Sequence, residues 1–398
     1  MNTQQNPKLW TKNFILLSIT NLVMFLGFHM LMSTFPFFVR YLGGDEVMVG
    51  LTAGLFSVSS LLMRPAVGWY LDNQNRRLLL WIGLAGLAAV TIIYSILTAV
   101  MLALVFRLVH GVFWGATSTS LSTNVSDILP RTRFSEGMSF FGLTATISMS
   151  IAPFIGLVVM EQMGFTKLFY FSAALSVASL ILAMRIGFMK IEKKREKEHF
   201  SKSLKKLISK SALPASIVMF FFMIPYGAIT TFIALYSVDS AVGSGGLFFV
   251  LLAISNGLSR LMSGRVCDRK GEDIIVYVAI PAVMLSLIML AFFLTPATFY
   301  LSAIFYGIGF GSMAPAMQAM AMRISSPERR GSASSTYLSA FDMGIGFGGM
   351  ISGVFVKYFG YGNMYALMGL WLIASLACYV FWARKSASAF QNCRDIVR

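Results

Sequence analysis

Apolar residues form long blocks along this chain, and most polar residues lie between the blocks. A helix needs about 20 apolar residues to cross the hydrocarbon core of a bilayer. Twelve blocks meet this length, and we predict membrane spans at 14–39, 47–70, 78–99, 101–128, 137–160, 168–189, 214–237, 246–266, 274–295, 297–323, 336–356 and 363–383. The first block has no small-residue cleavage site after it, so we interpret it as a retained helix and not as a signal peptide. The pattern predicts an all-α membrane protein with twelve transmembrane helices.

The composition excludes several other classes of protein. Of the 398 residues, 57% are apolar and 12% are charged, whereas globular chains carry about 25% charged residues. A soluble enzyme, a collagenous or disordered chain and a disulfide-rich secreted module are therefore excluded. The net charge of +16 does not indicate a nucleic-acid partner, because the basic residues lie mainly between the apolar blocks. The partner that the composition indicates is the lipid bilayer.

The positions of Lys and Arg predict the orientation in the membrane. Basic residues lie at the chain start, in alternate loops, in the segment from Lys190 to Lys210 and in the tail. The remaining loops carry only Arg40, Lys167 and Lys357. Because cytoplasmic segments are enriched in Lys and Arg, we expect a multi-pass protein of the cell membrane with both termini in the cytoplasm.

A basic segment and an internal repeat predict the domain organisation. Residues 190–213 form a cytoplasmic linker between a bundle at 1–189 and a second bundle with its tail at 214–398. The linker either lies as a helix against anionic headgroups or is a solvated connector. Arg64, Gly68, Asp72 and Gly111 recur 196 positions later as Arg260, Gly264, Asp268 and Gly307. We therefore expect two pseudo-symmetric six-helix bundles with a substrate path between them, near the midplane.

The loop after the second span carries a family motif. Gly68 is followed by Asp72 and by the basic pair Arg76 and Arg77. This pattern resembles the signature loop of the major facilitator superfamily. The resemblance implies the twelve-helix facilitator fold, in which the glycine lets helices two and eleven approach and the aspartate caps helix eleven and pairs with arginine.

The second copy of this motif contains Gly264, Asp268 and Arg269 and is closer to the usual form of the family. The first copy has Asn73 and Asn75 where a basic residue and a glycine are usual. We expect both copies to act as inner gates, together with Arg64, Asp127 and Arg260. The alternative for each copy is a plain structural loop.

Helix four contains a second family-like motif. Arg107 and Gly111 resemble the Arg-x-x-x-Gly motif that the family associates with proton coupling. Gly111, Trp114 and Ser118 lie within about 40° of the direction of Arg107 on a helix. An arginine inside a span rarely faces lipid, so we expect this face to line the cavity and to contact the substrate through Trp114 and Ser118. The alternative is that Arg107 is a structural donor to neighbouring carbonyl groups.

Helix five contains Ala152-Pro153-Phe154-Ile155-Gly156, which resembles the Gly-Pro-x-x-Gly motif of the antiporters in this family. Proline and small residues kink a helix and allow tight packing, which can seal one side of a pathway. We therefore predict a gating role for Pro153. A plain helix kink is the alternative.

Two ionisable side chains at membrane depth are candidate proton carriers. His29 lies near the middle of helix one, and Asp342 lies about two turns into helix eleven. A buried carboxyl group holds a proton more tightly than one in water, and histidine titrates near neutrality. His110 is a weaker candidate, because it is only three residues from the charge of Arg107. A hydrogen-bonded interior residue is the alternative for each histidine.

Neutral polar residues within the spans are candidate substrate contacts. Tyr226 and Thr230 share a face of helix seven, and Asn21, Asn256 and Gln318 lie on helices one, eight and ten. Hydrogen bonds between helices are an equal alternative for each of them.

The motifs are similar to those of bacterial drug and metabolite efflux proteins. We expect a secondary active transporter that exports a small amphipathic compound by proton antiport and alternating access. The alternatives are proton-coupled uptake of a sugar or organic acid and, more remotely, a membrane-embedded enzyme or sensor. We expect no enzymatic activity, no cofactor, no metal and no nucleic acid, and a monomer whose partners are a small-molecule substrate, protons and the bilayer.

Overall fold

The computed structural model describes residues 8–73, 76–130, 133–187, 209–325 and 330–386, and the described backbone is helical throughout these ranges apart from short connections. The helices are α1 (Lys12–Tyr41), α2 (Glu46–Asn73), α3 (Arg76–Tyr94), α4 (Val100–Ile128), α5 (Phe134–Met184), α6 (Leu213–Asp239), α7 (Gly245–Lys270), α8 (Glu272–Phe292), α9 (Pro296–Arg323) and α10 (Arg330–Cys378). A π-helical turn, Tyr379–Ala383, follows α10. Most of the predicted linker, 190–213, lies outside the described residues.

Local signals explain several helix starts. Thr11 and Ser244 accept hydrogen bonds from the backbone N–H groups three residues later and so cap α1 and α7. Thr295 and Thr298 form a reciprocal capping box at the start of α9, directly before Pro296. The cap at Thr295 separates two apolar blocks that are nearly continuous in the sequence.

The described chain contains ten helices that are long and apolar enough to cross a membrane. Two of them, α5 and α10, contain a residue with non-helical torsions: Gly164 has φ 79° and ψ 173°, and Gly360 has φ 76° and ψ 170°. These torsions are costly for residues with a Cβ and available to glycine. The breaks lie 196 positions apart and fall in the gaps between the predicted spans 137–160 and 168–189 and between 336–356 and 363–383.

The repeat is also visible in the packing of the helices. A Cβ on Gly111 of α4 would collide with the Phe56 carbonyl and Ser59 hydroxyl oxygens of α2. A Cβ on Gly307 of α9 would collide with the equivalent oxygens of Leu252 and Ser255 of α7, each 196 positions later. Two helix crossings at one spacing indicate that the backbone arrangement is repeated along the chain.

An ion pair recurs at the same spacing with its polarity reversed. Arg76 at the start of α3 pairs with Asp127 at the end of α4. Glu272 at the start of α8 pairs with Arg323 at the end of α9 at 2.9 Å, and both positions lie 196 after their counterparts. The position of the pair is therefore repeated, while the residue that carries each charge is exchanged.

The N-terminal region (residues 8–187) and the C-terminal region (residues 209–386) meet mainly along two helix pairs. In these contacts α2 packs against α10, and α5 packs against α7. The buried side of α6 belongs to the largest apolar cluster among the described residues. Leu62, Ile96, Leu261 and Phe381 are more than two-thirds exposed, as expected for side chains that face lipid.

Candidate functional site

A small cavity of about 20 Å³ lies between the two regions. It is lined by His29, Met32, Ser33, Met149 and Pro153 from the N-terminal region and by Tyr226, Thr230, Phe249 and Ile345 from the C-terminal region. The wall is mainly apolar and carries a few polar groups, which is typical of sites for small organic molecules.

His29 is the titratable side chain that the cavity wall contributes from α1. Its ring centroid lies 5.6 Å from that of Phe25 and 5.0 Å from that of Phe28. The Nε2 atom is buried and has no hydrogen-bond partner among the described residues. A buried polar atom without a partner is costly, so Nε2 of His29 is available for a hydrogen bond with a polar group in the cavity.

Tyr226 and Thr230 of α6 contribute the polar groups of the opposite wall, one helical turn apart. The Tyr226 ring stacks on Phe310 with centroids 4.5 Å apart and planes at 7°. The Thr230 hydroxyl donates to the carbonyl oxygens of Tyr226, at 3.0 Å, and Gly227, at 3.2 Å. Its own lone pairs therefore stay available to accept a hydrogen bond.

Arg107 lies behind the cavity wall and not on it. Its side chain is 1% exposed, and its guanidinium carbon lies 4.6 Å from the ring centroid of Phe35 and 5.0 Å from that of Phe56. Nε donates to the Thr52 carbonyl oxygen at 3.4 Å, while Nη1 has no partner in the described part of the chain. Nη2 lies 3.5 Å from Sδ of Met32, which separates the guanidinium from the cavity.

The prediction that Trp114 and Ser118 of α4 line the cavity is not met in the structure. Trp114 is 5% exposed and stacks on Phe28 with centroids 3.8 Å apart. The buried hydroxyl of Ser118 has no partner among the residues described. Neither lines the cavity, because the stacked rings fill the space between α4 and α1. His110 is 2% exposed, and its Nδ1 lies 3.2 Å from the Tyr94 hydroxyl.

The remaining predicted substrate contacts do not reach the cavity wall. Asn21 donates from Nδ2 to Thr144 Oγ1 at 2.8 Å and so links α1 to α5. Asn256 is 2% exposed and packs against Gly311 of α9. Gln318 is half-buried on α9. The Asn21 contact is of the helix-to-helix kind that the sequence left open as an alternative.

Asp342 has a partner that the sequence did not indicate. Its carboxylate forms an ion pair with Arg64 of α2, so the contact joins the C-terminal region to the N-terminal region. The side chains of Arg64 and Asp342 are 15% and 31% exposed. The two residues were assigned separately from the sequence, to gating and to proton transfer, because their spacing of 278 positions carries no signal.

The predicted gate around Gly68 is only partly visible. A Cβ on Gly68 would meet nothing within 4 Å, so the close approach that the family resemblance implies does not occur at this residue. The close approach between α2 and α10 lies instead at Gly50, where a Cβ would lie 2.6 Å from the Gly349 carbonyl oxygen. For Asp72, Gly264, Asp268 and Arg269 the structure describes the helical backbone and not the side-chain environment, so the predicted gating contacts of these residues lie outside what it describes.

The other predicted gating residues make local contacts. The Arg76 Nε donates to the Leu71 carbonyl oxygen at 2.9 Å, in addition to the ion pair with Asp127. The Arg77 guanidinium lies 5.2 Å from the ring centroid of Trp81. Pro153 lines the cavity, and its carbonyl oxygen accepts a hydrogen bond from Ser33 Oγ at 3.4 Å.

A network of charges that the sequence analysis missed connects the two regions at one end. Arg40 of α1 donates to the Asp239 carboxylate at 2.8 Å and to the Tyr361 hydroxyl at 2.8 Å, and the same hydroxyl donates to Asp239 at 2.8 Å. Beside it, Lys357 Nζ lies 2.7 Å from Asp45 Oδ2. We call these five residues, Arg40, Asp45, Asp239, Lys357 and Tyr361, the Arg40 network. In the sequence, Arg40 and Lys357 stood out only as two of the three basic residues in the loops that carry few of them.

The long apolar helices and their exposed apolar side chains are those of a multi-pass membrane protein. The sequence matches the Major Facilitator Superfamily over residues 17–304 and 286–393, and the chain belongs to this superfamily. The resemblance that the motifs predicted is thereby confirmed. The chain is a secondary transporter of small molecules and not an enzyme.

Known relatives are distant in sequence and similar in length. The chain is 23% identical over 375 residues to the uncharacterized MFS-type transporter MJ1560 of Methanocaldococcus jannaschii, across 91% of this chain and 96% of the relative. It is 26% identical over 332 residues to the multidrug resistance protein MdtG of Serratia proteamaculans, across 79% of this chain and 80% of that protein. The crystal structure of the nucleoside transporter NupG matches with a TM-score of 0.70 at 17% identity, across 96% of this chain and 99% of that chain. At this identity the structural similarity shows the fold alone.

Proposed function

We propose that the chain exports small amphipathic compounds in exchange for protons by alternating access. The observation that carries the proposal is the cavity lined from both regions. A site between two repeats can be exposed to one side of the membrane and then to the other when the repeats rock. The similarity to the multidrug resistance protein MdtG supports export, and the Met and Phe side chains of the wall suit cargo with apolar surface.

In this proposal the breaks at Gly164 and Gly360 divide α5 and α10 into two spans each. The chain then has twelve spans in two six-helix halves, 1–189 and 214–398, connected by the linker 190–213. The excess of Lys and Arg in alternate segments puts both termini in the cytoplasm of the cell and the Arg40 network at the outer face. The structure then corresponds to a state in which the outer side is closed.

Asp342 is the primary proton carrier in this mechanism. Deprotonated Asp342 attracts Arg64, and this ion pair connects α2 to α10. When Asp342 takes up a proton, it no longer attracts the charge of Arg64, and the contact between α2 and α10 weakens at these residues. A proton that enters from outside thereby changes the balance between the two orientations of the cavity.

His29 is the second carrier, because its unpartnered Nε2 lies at the cavity wall. Arg107 and His110 act from behind the wall. Arg107 places a positive charge close to Met32, and His110 is held by Tyr94. Tyr226 and Thr230 contact the cargo directly.

Transport into liposomes tests the proposal. Purified protein is reconstituted, and uptake of radiolabelled norfloxacin, chloramphenicol and 2-naphthamide is measured with imposed pH gradients. Proton exchange predicts uptake when the interior is acidic, and Asp342→Asn should abolish the gradient-driven part while binding persists. Uptake driven by an acidic exterior would instead support proton symport, and uptake that is independent of the gradient would overturn proton coupling.

A further inference from the structure

Two arginines at repeat-related positions reach across the interface between the regions, and they meet different partners. Arg64 of α2 pairs with Asp342 of α10. Arg260 of α7, 196 positions after Arg64, donates from Nη1 to Thr146 Oγ1 of α5 at 3.1 Å. Thr146 lies 196 positions before Asp342. The same contact is therefore made twice, and the second copy has a hydroxyl group where the first has a carboxylate.

Both contacts lie beside the cavity. Met149 and Ile345, which line its wall, are also 196 positions apart and follow Thr146 and Asp342 by three residues. Three residues on a helix correspond to a rise of about 4.5 Å and a rotation of about 300°, so each contact lies one turn from the wall. Along α10, Asp342 lies on the side of Ile345 that is further from the Arg40 network, because that network contacts the later part of the helix at Lys357 and Tyr361.

The electrostatic situations of the two arginines differ. A guanidinium stays protonated in proteins and has five N–H donors. Asp342 neutralises the charge of Arg64, whereas the hydroxyl of Thr146 accepts one hydrogen bond and brings no charge. The ion pairs of the described residues do not include Arg260. A half-buried cation without a counter-charge attracts an anion strongly, because water screens it only in part.

We propose that Arg260 binds a carboxylate group of the transported compound, at the place that the Asp342 carboxylate occupies in the other copy. The inference rests on the proposed function, since it takes the cavity as the cargo site. A carboxylate matches the guanidinium fork with two parallel hydrogen bonds. The apolar body of the same compound lies one turn away, against Met149 and Phe249. The structure therefore favours amphipathic carboxylates over the corresponding neutral amides.

Binding measured with a matched pair of probes tests this assignment. The purified full chain is titrated with 2-naphthoate and with 2-naphthamide at pH 7, and affinity is obtained from ligand-dependent thermal stabilisation. We expect the wild type to bind 2-naphthoate more tightly than the amide. Arg260→Gln should weaken binding of 2-naphthoate by about 10- to 100-fold, as for a lost hydrogen-bonded ion pair, and leave binding of the amide unchanged.

Thr146 supplies the matched controls. Thr146→Asp gives Arg260 the resident carboxylate that Arg64 already has, so it should compete with 2-naphthoate and reduce its affinity as strongly as Arg260→Gln. Thr146→Asn has nearly the volume of Thr146→Asp without its charge, so it should reduce the affinity for 2-naphthoate much less than Thr146→Asp does. If Arg260→Gln does not fold, the two Thr146 variants decide the question. Equal affinity of the wild type for acid and amide, or of Thr146→Asp and Thr146→Asn for 2-naphthoate, would overturn the proposal.

The double variant Thr146→Asp with Asp342→Thr exchanges the two partners between the repeats. The unpaired arginine is then Arg64, so Arg64→Gln should now remove the preference for 2-naphthoate and Arg260→Gln should not. A preference that still depends on Arg260 would overturn the proposal, since Arg260 would then have its own acid.

Failure of this inference and failure of the proposed function give different results. Gradient-driven uptake of 2-naphthamide without any preference for 2-naphthoate overturns the carboxylate site and leaves proton-coupled transport intact. Arg260-dependent binding of 2-naphthoate without gradient-driven uptake of any probe overturns proton coupling and leaves the carboxylate site intact.

Discussion

Helices α4 and α9 occupy repeat-related positions, and they share a backbone arrangement but not its chemistry. Gly111 of α4 packs against a carbonyl oxygen of α2, and Gly307 of α9 packs against a carbonyl oxygen of α7. One turn earlier, α4 has Arg107, which is 1% exposed, whereas α9 has Ala303 at the corresponding position. The close helix crossing is therefore kept in both copies, and the buried charge is present in one.

Three residues later, the two helices again differ in the ionisable group that they carry. His110 of α4 lies 3.2 Å from the Tyr94 hydroxyl through its Nδ1. The corresponding residue of α9 is Tyr306, whose hydroxyl has no partner among the described residues and whose ring centroid lies 6.1 Å from that of Tyr226. The comparison teaches that packing constrains both copies equally, while the ionisable groups needed for coupling can be confined to one.

Substitution of the two glycines should have the largest effect on the protein. Gly111→Val and Gly307→Val both place a Cβ against a backbone oxygen, so each should lower the free energy of unfolding by about 3 kcal/mol or more. Thermal unfolding of purified variants measures this loss. Gly257→Val is the control, because a Cβ there would meet nothing within 4 Å. A large difference between the two crossing variants would show that the packing is not equivalent in the two copies.

Neutralising the acid of one inter-region contact should affect transport strongly. We expect Asp342→Asn to reduce gradient-driven uptake by about 100-fold or more, because the side chain no longer exchanges a proton or pairs with Arg64. Thr146→Asn, the change at the repeat-related position, should retain gradient-driven uptake. Uptake in liposomes with an acidic interior measures both. Equal losses in the two variants would assign both positions a structural role.

Removal of the buried charge of α4 should separate stability from activity. Arg107→Met should leave the unfolding temperature unchanged or raise it, because a buried cation without a counter-charge contributes little to stability. Gradient-driven uptake should fall by about 10-fold, a loss of about 1.4 kcal/mol. Tyr306→Phe, which removes the unpartnered buried hydroxyl of α9, should leave uptake unchanged and leave the unfolding temperature unchanged or slightly higher. A clear loss of stability in Arg107→Met would show that its aromatic contacts outweigh the cost of burying the charge.

Loss of the ion pair between Lys357 and Asp45 should have the smallest effect on the protein. This pair lies in the Arg40 network and so tests the contact between the two regions at that end of the molecule. The hydrogen bond from Lys357 is the main cause that lowers the pKa of Asp45, which lies in the loop between α1 and α2. The pair therefore contributes fully above the ordinary pKa of aspartate, and its contribution is lost as the pH falls through the lowered value.

We expect Asp45→Asn to increase opening of this end by about 2-fold, since exposed ion pairs contribute little. The measurement is the rate at which the thiol of a Ser33→Cys variant reacts with a membrane-impermeant reagent, in a protein whose natural cysteines are replaced by serine. Because the thiolate is the reacting species, both rates fall at acidic pH, and the comparison is made at each pH as the ratio of the wild-type rate to the Asp45→Asn rate. This ratio should rise towards one as the pH falls. A ratio of one at every pH would show that this pair does not contribute to closure.

The long apolar blocks could be predicted as helices from the sequence, because burial in lipid requires every backbone group to be hydrogen-bonded within a helix. The spacing of 196 between Arg64, Gly68 and Gly111 and their later copies likewise predicted a repeated framework. The helix contacts of Gly111 and Gly307 occur at that spacing. The family resemblance followed from the same motifs and is confirmed by the match to the superfamily.

The pairing of side chains across the interface could not be predicted in this way. Arg64 and Asp342 are 278 positions apart, and Arg40 and Asp239 are 199 apart, so neither contact follows from helical periodicity. Arg107 was expected at the cavity wall, and the structure puts it behind Met32 instead. The direction of a helix face is visible in a sequence, but its distance from a cavity depends on the side chains of other helices.

Local chemistry in the sequence set the helices, their limits at capping residues and glycines, and the class of the protein, because these depend on near neighbours and on the solvent that surrounds the chain. The packing of α1, α2, α5, α6, α7 and α10 against one another chose which charges are paired and which are not. An ion pair needs two groups within a few ångströms of each other, and helices far apart in the chain reach that distance only when the whole bundle has assembled. The contrast between Arg64, which meets a carboxylate, and Arg260, which meets a hydroxyl, arises at that stage.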